Sequence, residues 1–177
     1  MAEFLTSTPD IRQTRVEGIW YTVQNQLFKD DDGRIFLAPR CTLTDGYSIP
    51  KPFHIIAGGQ FEHNISPAVQ HDWECYYRKA LVVNLSVVQL RKSQLLDFKN
   101  DMWICNDIPL QFLSIVDTTF DETNSRFRRM LKCLTNIAEW KRKLIGNSVN
   151  LNANWFLKEP HTFNTDRIYR IDYECLR

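Results

Sequence analysis

The sequence predicts an α+β fold in which a small antiparallel N-terminal sheet packs against three or four helices. Three observations carry that expectation. Residues 19–28 and 34–38 are rich in β-branched and aromatic side chains, and the turn Asp30-Asp31-Asp32-Gly33 joins them. From residue 66 onward apolar side chains recur mainly at helical spacing. The 177 residues, 44% hydrophobic and 24% charged, suit one domain with a sizeable core and exclude collagen-like, mucin-like and wholly disordered chains.

Residues 1–15 are polar and read as a loose N-terminal arm ahead of a domain over 16–146. Ile19 to Phe28 alternates imperfectly, and its Trp20, Tyr21, Val23 and Phe28 favour a strand. The acids at 30–32 and Gly33 mark a turn, with Arg34 to Ala38 as the returning strand of a hairpin. A calcium loop also begins with such acids, but it needs alternating ligands and a glutamate at its twelfth position, where counting from Asp30 reaches Cys41. Residues 39–66 hold Pro39, Gly46, Pro50, Pro52, Gly58 and Gly59 beside the apolar Phe53, Ile55, Ile56 and Phe61. That mixture reads as a long ordered loop, a place where function concentrates.

Ser66-Pro67 opens a helix, serine as N-cap and proline at the first helical position, and the helix runs to about Leu81. A second helix is expected from Ser86 to Cys105, with apolar residues at 87, 88, 90, 95, 98 and 102. Pro109 interrupts; Leu110 to Val116 adds a short helix and Asp117 to Asn124 an acidic loop. Phe127, Met130, Leu131, Leu134, Ile137, Ala138 and Leu144 then repeat at helical spacing until Gly146 stops the helix. Residues 147–177 read as an extension that packs on the domain or on a partner, with a late strand or extended arm over Asp166 to Tyr173.

The five cysteines (Cys41, Cys75, Cys105, Cys133 and Cys175) are odd in number, widely spaced and without a CxxC pair, which favours isolated buried thiols in a reducing compartment. The first ten residues lack the basic-then-apolar pattern of a signal peptide, and no apolar run approaches the length of a membrane span. A net charge of +1 gives no global pull towards nucleic acid or membrane. Locally, residues 123–145 hold seven basic side chains against one acid. Arg126, Arg128, Arg129, Lys132 and Trp140 are therefore candidates for an interaction surface: a protein partner, or more weakly a phosphate backbone. The plain alternative is the solvated face of an amphipathic helix.

Three signals can carry chemistry: Thr44-Asp45-Gly46-Tyr47-Ser48-Ile49-Pro50 in the long loop, His71-Asp72 on the helix that follows, and Asp101 in Asn100-Asp101-Met102-Trp103. An imidazole with carboxylates suits a divalent cation such as zinc, manganese, iron or magnesium, and such a cation turns bound water into a nucleophile. In that reading Asp45, His71 and Asp101 are ligands, Asp72 a ligand or general base, and Ser48 a substrate contact. The same residues also admit a metal-free network, with Asp45 in an Asx-turn, His71 bonded to Asp72, and Asp101 answering Arg78 or Arg91. His54, His63 and His161 are reserve ligands. Ser48-Ile49-Pro50-Lys51 matches SxxK without its companion motifs, and no glycine-rich nucleotide signature occurs, so no nucleotide cofactor is expected.

The order TDGYSIP, a short Gly-containing stretch and then HDWECYYR resembles the phage and prophage family called domain of unknown function 1353. Members typically show a TDGxSxP-like loop and a helix bearing HD followed by an aromatic. An Asp-containing helix comes next, here Asn100 to Trp103, then a segment with an aromatic and Arg, here Arg126 to Leu134. The resemblance covers about residues 35–135 and singles out Asp45, Ser48, His71, Asp72 and Asp101. The family has no settled activity, so the resemblance implies a phage origin and a place in the host bacterial cytoplasm or the virion. Two functions are expected from residues and resemblance together. One is a metal-dependent hydrolase; the other is a non-enzymatic virion component or inhibitor of a host protein.

Overall fold

A computed structural model describes residues 1–46, 64–151, 162–165 and 168–170. The first fifteen residues are stitched into the sheets and do not form a loose arm. Glu3–Phe4 (β1) pairs with Gln26–Lys29 (β4), and Ile11–Gln13 (β2) pairs with Trp20–Thr22 (β3), both antiparallel. The stretch expected as one strand over 19–28 is thus two strands in different sheets. Asn25 marks the crossing: its amide donates to the Cys105 carbonyl at 3.1 Å, and its Oδ1 accepts from the Arg40 N–H at 2.7 Å.

The hairpin from β4 to Ile35–Ala38 (β5) forms as expected, with Phe28 opposite Phe36 and Leu27 opposite Leu37. Gly33 closes its turn at φ 86°, a conformation that glycine adopts without strain. Leu43–Thr44 (β6) joins the edge of β3 and so fixes Thr44 at the start of the long loop.

Ser66–Tyr77 (α1) begins where expected, but Ile65 holds the cap position, and the Ser66 N–H donates to Asn64 Oδ1 at 2.9 Å. The helix stops four residues early because Arg78 turns left-handed at φ 50° and Lys79–Val83 (β7) enters the main sheet between β5 and Leu113–Asp117 (β10). That sheet runs β1-β4-β5-β7-β10, all neighbours antiparallel.

The helix expected over Ser86–Cys105 is a correction. Only Val87–Lys92 (α2) is helical, opened by a reciprocal cap between Ser86 and Gln89. Leu96–Lys99 (β8) and Met102–Cys105 (β9) then form a hairpin. Asn100 and Asp101 turn it at φ 50° and 61°, the left-handed pair that a two-residue hairpin requires. Asp101 is therefore an exposed turn residue and lies on no helix. Leu110–Phe112 is a single 3₁₀ turn before β10, not a helix reaching Val116.

The acidic loop expected over Asp117–Asn124 is the start of Phe120–Lys132 (α3), whose Thr119 and Glu122 form a capping box. A break at 133–138 separates it from Glu139–Leu151 (α4). Gly146 does not end that helix. It allows close approach, since a Cβ there would lie 3.3 Å from Arg128 Cγ and 3.5 Å from Leu131 Cδ1.

Alternation along the strands divides the core. Phe28, Phe36 and Ala80 face α3 and α4 through Phe127, Met130, Leu131 and Ile145. Leu27, Leu37, Leu81 and Val83 face Val69 and Trp73 of α1, Leu90 of α2 and the β8–β9 hairpin. The architecture is the expected α+β class, and no described helix is long and apolar enough to cross a membrane.

Candidate functional site

The site lies where α1 passes between β6 and α3. Thr44, held by β6, donates its hydroxyl to Asp72 Oδ2 at 2.5 Å and accepts the Gly46 N–H at 2.9 Å. The Asp45 N–H also donates to the Asp72 carboxylate. On the same helix His71 places Nδ1 3.7 Å from Asp72 Oδ1, and its Nε2 is 3.0 Å from Asn124 Oδ1 on α3. Cys75, one turn on, lies 3.4 Å from Nε2 and 3.7 Å from Nδ1. The Phe127 ring stands 4.8 Å away. A polar chain of four side chains thus joins the loop, α1 and α3, with His71 12% and Asp72 19% exposed at the side chain.

Beneath it lies a second polar group. Glu74 of α1 is fully buried and takes the guanidinium of Arg126 from α3, with Gln70 Nε2 donating to its other oxygen at 3.0 Å. Arg126 is itself 5% exposed and lies 3.9 Å over the Phe36 ring.

Electrostatics follow from this enclosure. Burial acts to lower the His71 pKa, but Cys75 and Asp72 outweigh it and lift it well above the ordinary 6.5. Burial pushes Asp72 and Glu74 up from 3.8 and 4.5 despite their cationic neighbours. All three groups bind protons more tightly folded than unfolded, so their stabilising contribution is lost as pH rises through each native value. For His71 that loss begins above 6.5. In the opposite sense Asp30, against the effect of burial, is held low by Arg129, and that contribution is lost as the solution becomes strongly acidic. Thermal midpoints should peak in mild acid and fall above pH 6.5, and His71→Gln should flatten the fall. An unchanged slope in a folded variant would refute the assignment to His71.

Of the sequence candidates, the structure brings together His71, Asp72 and the backbone N–H of Asp45. Asp101 is not on the helix expected to carry it there, and Ser48, His54, His63 and His161 lie outside the described residues. Among the described residues no group of three or more His, Cys, Asp or Glu side chains is arranged to hold a metal ion. The basic surface also divides. Arg126 is buried against Glu74, and Arg129 holds buried Asp30 with two bonds of 2.7 Å, so both are fold-stabilising ion pairs. Arg128, Lys132 and Trp140 remain exposed, the last at 52%.

Sequence reasoning missed Thr44 as a carboxylate donor, Asn124 and the Glu74–Arg126 pair. Cys75 carried a signal, since it stands four residues after His71 on one helix face.

A family model described as "Protein of unknown function (DUF1353)" matches residues 20–146. No curated protein and no solved structure matches the chain. The matched span runs from β3 into α4 and contains the whole polar chain from Thr44 to Asn124. The chain belongs to the DUF1353 family.

Proposed function

We propose that this is a phage-encoded hydrolase in which His71 and Asp72 seat a divalent cation beside the TDG loop. The observation that carries the reading is the orientation of His71. Asn124 Oδ1 stands 3.0 Å from Nε2 and can accept a proton held there, while Nδ1 faces Asp72 Oδ1 at 3.7 Å. With His71 neutral, its Nδ1 lone pair and Asp72 Oδ1 would stand 3.7 Å apart as a nitrogen and oxygen donor pair that a divalent cation could share. Ligating histidines characteristically donate their other ring N–H to an oxygen acceptor, and Asn124 Oδ1 stands where it could take that role for His71.

A nitrogen and oxygen donor pair suits zinc or manganese better than magnesium. A further ligand would come from Asp45 or from the loop that follows it. A cation held by His71 and Asp72 would supply a bound water of lowered pKa, the chemistry that a hydrolase uses. Thr44 and the Asp45 N–H hold the Asp72 carboxylate in position without taking Oδ1 away from the seat.

Metal content by plasma mass spectrometry, after incubation with zinc and with manganese, tests this reading. Wild type should carry near-stoichiometric metal, and folded His71→Ala and Asp72→Ala should lose it. Absence of metal in wild type, or equal retention by both variants, would overturn it.

A second reading has its own support. A proton can occupy the same gap and make a His71–Asp72 ion pair that only pins the loop. The closeness of the two groups and the lift that Asp72 and Cys75 give the His71 pKa against burial favour this. The protein would then be a non-enzymatic virion component or host-protein inhibitor that meets its partner through Arg128, Lys132 and Trp140. Charge reversal at Arg128 should then abolish partner binding, while His71→Ala acts only through stability.

A further inference from the structure

β10 is the outer strand of the five-stranded sheet and, among the described residues, pairs with β7 alone. Its sequence Leu113-Ser114-Ile115-Val116-Asp117 is uncharged until the last residue. Ile115 stands in a row with Leu81 and Leu37 on one face, and Val116 stands beside Ala80 on the other. Edge strands are ordinarily protected by a central charge, a proline, a bulge or a covering element. This strand instead leaves Ile115 41% and Val116 43% exposed, so apolar side chains project on both faces. On the Val116 side a pocket of about 250 Å³ opens against the first turns of α3, lined in part by Phe36, Val82 and Arg126.

We propose that β10 pairs antiparallel with β10 of a second copy about a twofold axis through Ile115, joining two five-stranded sheets into one of ten strands. The register puts Ile115 opposite Ile115, Ser114 opposite Val116 and Leu113 opposite Asp117. Charge permits this self-pairing. Asp117, the only charge on the strand, already bonds Lys79 of β7 and would meet a leucine across the axis. The two Asp117 side chains would lie four residues apart along the ribbon, about 13 Å and beyond the screening length of physiological salt.

Side-chain placement points the same way. Ser114 lies opposite Val82 across the β7–β10 pairing, so the incoming Val116 falls on the face where Val82 and Phe36 line the pocket. Ser114, the smallest side chain of the strand, leaves room beside it for the incoming Val116, and the twofold axis repeats that contact in both copies. A pairing of five residues falls short of a standard interface of about 800 Å² per partner, so a dimer of micromolar strength is expected.

Sedimentation of the full chain from about 1 to 200 μM, a range spanning micromolar dissociation constants, reads the equilibrium. Wild type should move from monomer to dimer. Ile115→Lys sets two ammonium groups against each other at the axis and should weaken the dimer at least tenfold, an effect of about 1.4 kcal/mol or more. Its far-UV circular dichroism should match wild type, because residue 115 is exposed. Register is read separately: Ile115→Cys should cross-link to a dimer under mild oxidation, whereas wild type and exposed Ser125→Cys should not. A monomer at every concentration, or a dimer indifferent to Ile115→Lys, overturns the proposal.

Discussion

Replacing Arg126 with methionine will destabilise the fold by about 3–5 kcal/mol, the range seen when one partner of a buried ion pair is removed. Arg126 is 5% exposed and Glu74 is fully buried, so the substitution strands a carboxylate between two helices with Gln70 and Thr123 as neutral donors and without its paired guanidinium. The arginine also covers the Phe36 ring, and methionine restores part of that apolar contact, which separates the charge effect from simple cavity formation. The double variant Glu74→Leu with Arg126→Met should recover most of the loss, because well-packed apolar groups often replace a buried pair at little cost. Urea unfolding of the three proteins measures this. A single-variant loss under about 1 kcal/mol would place the pair with exposed salt bridges and refute the reading.

Phe127→Ala should cost a similar amount, about 3–5 kcal/mol, by a different route. The ring is 2% exposed, belongs to the core that α3 builds over Phe28 and Phe36, and flanks the His71 imidazole. Truncation removes buried apolar surface and leaves a cavity whose walls are held by the sheet on one side and α4 on the other. Phe127→Leu keeps most of the volume and should lose much less. Chemical denaturation distinguishes them. If Phe127→Ala costs no more than truncation of exposed Arg128, the packing described for this face is wrong.

The sequence carried the elements whose signals are local. Asp30 to Gly33 announces its hairpin because only a tight turn explains three acids before a glycine between two β-rich runs. Thr44-Asp45-Gly46 and His71-Asp72 announced a shared site, and Thr44 and the Asp45 N–H do meet Asp72. Where local patterns compete, the reading failed. Apolar residues at 87, 90, 95, 98 and 102 satisfy helical spacing, yet Phe98 and Trp103 pair across a hairpin because Asn100-Asp101 accept the left-handed turn. Asp101 went with that error.

The basic stripe failed for another reason. Arginines at 126 and 129 look like surface charge until Glu74 and Asp30, 52 and 99 residues away, are found beneath them. Nothing in a linear pattern reports so distant a counter-ion. Asn124 was hidden in the same way, by a partner 53 residues away.

The division of the sheet into two covered faces has a consequence for synthesis. By the time residue 117 is made, all five strands of the main sheet exist, and α1 and the β8–β9 hairpin can already cover the face of Leu27, Leu37 and Leu81. The face of Phe28 and Phe36 stays bare until Phe127, Met130, Leu131 and Ile145 follow. At an elongation rate of about 5–20 residues per second, that wait is on the order of seconds. A ribosome that pauses in this interval holds a nascent chain with a ready-made sticky sheet, and chaperone capture would concentrate there.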